Sequence, residues 1–267
     1  LGGTRVYLLQ TADKETAVPD TTMSETAAYP DVATRARWLQ ARKRLLARER
    51  EVTHLRDTVN AARRRLPMVK VEKDYVFEGP DGTLTLAEMF DGRHQLYMYH
   101  FMWIDAGDHG CPNCTATAEM TFTERDRELL HAKDVTFACV SRAPYPSIAR
   151  YRDQYGWTFP WYSTRDGDFS YDYHVTLDAN RAPIEYNYKT LQELHAAGFS
   201  DADLRGDWPG ASVFLRRGDD VFHTYSAYAR GLDHSAVGYP FLDLTPYGRQ
   251  EAWEDSPAGW PQDRAPA

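Results

Sequence analysis

Residues 95–127 read QLYMYHFMWIDAGDHGCPNCTATAEMTFTERDR, and the order of features in this stretch decides the fold. Leu96 to Trp103 is an apolar and aromatic run long enough for a buried strand. A loop from Ile104 to Gly110 carries Asp105, Asp108 and two glycines. Cys111-Pro112-Asn113-Cys114 follows, and Ala116, Ala118, Met120 and Phe122 then mark a helix expected to run to about Ala132. Strand, loop, C-x-x-C, helix is the arrangement in which a dithiol does redox work. A cysteine near a helix N-cap meets unpaired N–H groups and the positive end of the helix dipole, both of which favour a thiolate. Such positions bring a thiol pKa from about 8.5 down to roughly 3.5–7.5. Cys114 lies one turn further on and can reach the same sulfur, while Pro112 suits the first helical position, where its missing N–H costs nothing. Two other readings of the pair exist. It could be half of a zinc site, but Cys139 is the only other cysteine, so His109, His100 or a distant histidine would have to complete four ligands. It could also be inert, in a fold that only binds.

The chain of 267 residues is long enough for one domain with an appendage. No apolar run approaches the roughly 18–20 residues a bilayer crossing needs, and no basic segment followed by an apolar stretch marks a secretory signal. With three cysteines there is no disulfide scaffold, and the expected setting is cytoplasmic. The chain opens on Leu1, and Met23 precedes Ser24-Glu25-Thr26, so residues 1–22 are set aside from fold reasoning.

From Asp31, a candidate N-cap, to Leu66 the sequence has no glycine or proline and predicts one long helix. Trp38, Leu45, Val52, Val59 and Leu66 recur every seven residues, with Leu55 and Ala62 three further on, a heptad seam weakened by Ala41 and Arg48. Eleven basic against four acidic residues give this helix +7, leaving −15 on the rest of a chain whose net charge is −8. That overall charge opposes general affinity for nucleic acid and favours a solvated helix facing an acidic body, its own or a partner's. Tyr75 to Phe77 and Thr83 to Thr85 predict a hairpin around Gly79-Pro80-Asp81-Gly82, followed by a short helix at 86–90. Val135 to Ser141 predicts a central parallel strand with Cys139 as a buried small hydrophobe; 146–155 predicts a helix and Trp157 to Ser163 an aromatic strand. Residues 164–207 read as an insertion with a helix near 191–197, and 211–216 with 221–226 as a second hairpin.

A strand, a C-x-x-C helix, a strand, a helix and a hairpin follow the element order of the thioredoxin fold. The phrases YMYHFMW, GCPNC, FACVSRAPYP, YGWTFPWYS and ASVFLRRGDDVFHTYSAYARGLD resemble those of an uncharacterised bacterial thioredoxin-like family, domain of unknown function 899, whose members are predicted dithiol–disulfide oxidoreductases. The resemblance covers roughly Ala33 to Arg249. It implies an α/β fold: a thioredoxin-like three-layer sandwich with an N-terminal β-hairpin extension and a long N-terminal helix. The domain map expected is a flexible tail at 1–30, a basic helical arm at 31–67, the thioredoxin-like domain at 68–250 and a C-terminal tail at 251–267. The resemblance carries over Cys111 and Cys114 as the dithiol. Pro209 resembles the cis-proline that faces the disulfide in thioredoxins. The thioredoxin Trp-Cys-Gly-Pro-Cys sequence and the peroxiredoxin Pro-x-x-x-Thr-x-x-Cys are both absent.

The expected chemistry is attack by a Cys111 thiolate on a protein or low-molecular-weight disulfide, then release by Cys114. No cofactor, metal or membrane enters this reading, and a homodimer through residues 31–66 is a possible assembly. His109, Pro112, Trp103 and Pro209 are auxiliary or substrate-side candidates. His100, in an apolar strand, reads as a satisfied core histidine. Tyr225, Tyr228 and Arg230 read first as packing and second as a substrate wall.

Overall fold

The computed structural model describes residues 28–104, 108–235 and 238–261, which fall into two units, 67–235 and 28–66 with 238–261. The flexible tail expected over 1–30 lies, up to residue 27, outside the described residues, as do 262–267 of the C-terminal tail.

In the second unit, α1 spans Arg35–Arg63. Its N-cap is Thr34 rather than Asp31: the Thr34 side chain accepts from the Arg37 N–H at 3.3 Å, which Asp31, six residues ahead of that donor and before the first helical turn, is not placed to do. No residue of α1 is buried; Trp38, Leu45, Val52, Leu55 and Val59 are all about half exposed. In the same unit Arg249 lies over the Tyr239 ring at 4.2 Å and pairs with Asp243, and the Ala28 N–H donates to the Gly259 carbonyl at 3.0 Å.

The first unit begins with β1 (Val69–Lys70) and the hairpin β2 (Val76–Gly79) and β3 (Gly82–Thr85), then β4 (Gln95–His100). A small ribbon, β5 (Trp103–Ile104) with β6 (His109–Gly110), separates β4 from α2 (Pro112–Thr121). The expected eight-residue strand therefore stops at His100, where the chain turns to build the ribbon. The helix expected to reach Ala132 is two helices, α2 and α3 (Glu124–His131). Phe122 leaves helical geometry at φ −94° and ψ 38°, and its ring packs edge-on to Tyr99 and tilted on Phe137. Thr123 then caps α3 by accepting from the Asp126 N–H, so a local cap and core burial together override continuous helix propensity.

β7 (Val135–Ser141), α4 (Tyr145–Gln154) and β8 (Trp161–Ser163) complete the crossover half. The insertion folds as short pieces: α5 (Phe169–Asp172), β9 (Thr176–Leu177), β10 (Glu185–Tyr186), β11 (Lys189–Thr190), α6 (Leu191–Ala196) and β12 (Gly206–Asp207). β13 (Gly210–Arg217) and β14 (Asp220–Tyr228) form the closing hairpin, followed by a 3-10 segment at Ala229–Ser235. A last helix, α7 (Gly238–Leu242), belongs to the second unit.

The sheet order is β1-β14-β13-β4-β7-β8-β2-β3. β4, β7 and β8 are mutually parallel, whereas β13 pairs antiparallel with both β4 and β14, and β2 antiparallel with both β8 and β3. Two parallel strands joined through the cysteine-bearing helix, with an antiparallel hairpin added beside the first, make a thioredoxin-like fold, and β2–β3 is its N-terminal hairpin extension. Period-two alternation assigns the two faces of β4. Tyr97, Tyr99 and Phe101 face one core cluster together with Cys111, Cys114 and Cys139, while Leu96 and Met98 face the other.

Candidate active site

The site is built where the chain leaves β4 and enters α2. The Cys111 N–H donates to the Met102 carbonyl at 3.0 Å, which ties the helix start to the end of the central strand. Cys111 is the N-cap of α2, in extended geometry, and Pro112 occupies the first turn as its fixed φ favours. The Thr115 N–H and hydroxyl both donate to the Cys111 carbonyl at 2.9 Å, and that hydroxyl is also 2.9 Å from the Tyr151 hydroxyl on α4. Gly110 permits a close approach. A Cβ there would lie 2.7 Å from Cε1 of Phe101 and 2.9 Å from Cε1 of Tyr151.

Cys111 and Cys114 are free thiols, 8% and 2% exposed. Their acidities are driven apart. The Cys114 thiol donates to the Cys111 sulfur, and with the N–H groups of Cys114 and Asn113 this brings Cys111 down to about 6 against the cost of burial. His109 adds the smallest of these favourable effects. Giving its proton to that bond, together with burial, pushes Cys114 well above the ordinary thiol range. Two donors oppose the rise: the Tyr99 hydroxyl, 3.5 Å from the Cys114 sulfur, and the Met102 N–H. At neutral pH the pair therefore holds one negative charge, centred on Cys111, and one proton, centred on Cys114.

The other sequence candidates divide. Trp103 joins the same core cluster but packs against Tyr151 and Trp161, a structural rather than an open position. The exposed His109 has its Nδ1 2.9 Å from the Gly110 carbonyl. Pro209 does sit immediately before β13, but the described residues contain no cis peptide bond, so the expected cis-proline is not present. Its carbonyl accepts from the Tyr186 hydroxyl at 3.1 Å, which the insertion brings to this edge. His100 points to the opposite face and is half satisfied: Nε2 is 2.8 Å from the Ser212 hydroxyl, while Nδ1 is buried without a partner. Burial pushes it down to about 3, so it stays neutral. Tyr228 is buried, donates to the Tyr173 carbonyl, and lines a separate cavity of about 420 Å³ that neither cysteine lines. Arg230 pairs with Asp233 at 3.5 Å. Among the described residues no three His, Cys, Asp or Glu side chains gather where they could hold a metal ion, and no helix is long and apolar enough to cross a membrane.

Sequence reasoning missed Tyr99, Thr115 and Tyr151. The signal for Tyr99 was available: in a strand of period two, it shares a face with Tyr97 and Phe101, the face over which the C-x-x-C helix must lie.

The family described as "Bacterial protein of unknown function (DUF899)" matches residues 27–264. No curated protein matches the chain. Among solved structures, peroxiredoxin Q of Xanthomonas campestris is similar at 14% identity and a TM-score of 0.39, covering 61% of this chain and 86% of that one. Peroxidoxin BcpB of Mycobacterium tuberculosis has 14% identity and a TM-score of 0.39, with 64% and 94% covered. A Chlorobium tepidum protein assigned as thiol:disulfide interchange protein DsbE has 12% identity and a TM-score of 0.36, with 65% and 97% covered.

Proposed function

This chain belongs to the DUF899 family, and we propose that it is a cytoplasmic thiol–disulfide oxidoreductase whose dithiol, Cys111 and Cys114, acts on protein or small-molecule disulfides. The observation that carries the reading is the placement of two free, buried thiols at one helix start, Cys111 as the N-cap of α2 and Cys114 in its first turn; the opposite displacement of their acidities agrees with it. A thiolate is the attacking species in disulfide exchange, and a pKa near ambient pH combines a high thiolate fraction with retained nucleophilicity. In the forward step the Cys111 sulfur attacks one sulfur of R–S–S–R′. A Cys111–S–S–R bond forms, the substrate bond breaks, and R′–S⁻ leaves with the electron pair. Cys114 then loses its proton and attacks the Cys111 sulfur. The Cys111–Cys114 disulfide forms and R–S⁻ departs, so two electrons pass from the dithiol to the substrate.

The test separates this from a structural or zinc-holding pair. Cys111→Ser should abolish exchange, whereas Cys114→Ser should keep a substrate thiol covalently attached, detected by mass spectrometry after acid trapping and alkylation. Zinc ligands would instead respond alike, each variant losing metal and stability. Equal behaviour of the two variants, with stoichiometric zinc in the parent protein, would sink the redox reading.

The half-exposed seam of α1 supports a second element of the proposal, self-association through residues 31–66. Light scattering should give twice the chain mass for the full protein and the single mass for the Val52→Glu, Val59→Glu double variant. A single mass for both removes the dimer.

A further inference from the structure

We infer that Tyr99 is a catalytic residue of the second step: its hydroxyl holds the charge that Cys114 must carry to resolve the mixed disulfide. The inference rests on the oxidoreductase reading and adds to it a group that the C-x-x-C motif does not contain.

The argument turns on what changes between the two steps. In the reduced protein the Cys114 thiol donates to the Cys111 sulfur, and this bond is the largest cause holding the Cys114 proton in place. When Cys111 enters a mixed disulfide, its negative charge is gone and so is the strong acceptor. Burial then remains as the main obstacle to a Cys114 thiolate, because residue 114 is 2% exposed and has no water shell to replace. Only donors already in place can offset that cost. The Tyr99 hydroxyl, 3.5 Å from the sulfur, and the Met102 N–H are the two groups acting in that direction.

Tyr99 is suited to donate and unsuited to act as base. It is 3% exposed, in the middle of the sheet, between β13 and β7, opposite Ala211 and Cys139, and its ring is fixed edge-on by Phe101 and Phe122. Burial and the neighbouring Cys114 push its own ionisation well above 10, so it keeps its proton throughout. A fixed donor aimed at a developing anion in a water-poor site needs no reorganisation at the moment of attack. The Cys114 proton leaves to solvent, the electron pair forms the Cys111–Cys114 bond, and the substrate thiolate departs with the pair from the broken bond. Tyr99 neither gains nor loses an atom.

The two steps can be watched separately with 5,5′-dithiobis(2-nitrobenzoic acid) by stopped-flow absorbance. Attack by Cys111 releases one thionitrobenzoate and leaves the other bound; attack by Cys114 releases the second. For Tyr99→Phe, which removes one oxygen and keeps the ring, the effect falls on the second release. Losing a hydrogen bond to a charged group raises the Cys114 pKa by about one unit or more, and the higher basicity of the remaining thiolate offsets part of the loss. The second phase should slow by about 3- to 10-fold at neutral pH, with its pH midpoint about one unit higher. Tyr97→Phe removes a hydroxyl from the same face without a sulfur partner and should leave both phases as in the parent. A second phase in Tyr99→Phe with the parent's rate and pH profile overturns the role of Tyr99, as does equal slowing by Tyr97→Phe. A parent protein that itself behaves like Cys114→Ser, with no second release, refutes the oxidoreductase reading instead.

Discussion

The start of α2 and the middle of β7 place thiols in the same hydrophobic cluster, and they treat sulfur in opposite ways. Cys111 and Cys139 are both buried, at 8% and 0% exposure. At Cys111 the backbone supplies N–H groups that no helical carbonyl uses, and a neighbouring thiol adds its own proton. Cys139 sits inside a strand paired on both sides, with β4 and β8, and its own N–H donates to the Pro160 carbonyl at 2.8 Å; burial, opposed only by the charge of Arg127, pushes the thiol well above its ordinary range. Burial alone therefore does not decide whether a cysteine is reactive. The difference lies in the donors that surround the sulfur: the Cys114 thiol first, then the unspent N–H groups of the helix start.

The strongest way to break this contrast is native-state alkylation. Cys111 should label fastest and Cys139 only through unfolding, a ratio of about 10³ or more, since proteins are unfolded for roughly 10⁻³–10⁻⁶ of the time. Fast labelling of Cys139 in folded protein, read by peptide mass spectrometry, ends the comparison. The pH dependence sharpens it. Labelling of Cys111 should rise about tenfold per unit below its midpoint near 6 and level off above, because only the thiolate reacts. Cys114→Ala removes the largest contributor to that midpoint and should move it upward by about one unit or more. A midpoint unchanged in Cys114→Ala would assign the acidity to the helix start alone.

Much of this contrast could be read from the amino acids. Cys139 inside Val135 to Val140 and Cys111 ahead of a proline-started helix already implied one thiol buried in a strand and one at a helix start. The parallel central strand and both hairpins were legible because each combines local turn chemistry with an apolar run. The helix break at Phe122 was less so. Thr123 and Asp126 form a cap pattern that also fits a continuing helix, and only the core position of Phe122 decides between them. Tyr186 beside Pro209 was not legible at all, because an insertion of short pieces sets it there through long-range packing.

Smaller effects test the inert side. Cys139→Ser places a hydroxyl in a fully buried strand and should cost about 1–3 kcal/mol in urea unfolding while leaving both phases of thionitrobenzoate release intact. A change in the release phases would give Cys139 a role in the chemistry. Thr123→Ala removes the cap of α3 and should cost about 1 kcal/mol with the Cys111 midpoint unmoved, since α2 carries its own start. A shifted midpoint would mean that the two helices act electrostatically as one.

The space denied to a side chain at Gly110 has a consequence for sequence variation. Phe101 and Tyr151 approach so closely there that replacing the glycine requires one of the two rings to shrink or move. The constraint links three positions: 101 just after β4, 110 before the cysteine and, distant in the chain, 151 on α4. In an alignment of relatives, a residue larger than glycine at 110 should co-occur with a smaller one at 101 or 151. That coupling can be read without a measurement of activity, and it would mark which relatives keep the cysteine-bearing helix start in this same position.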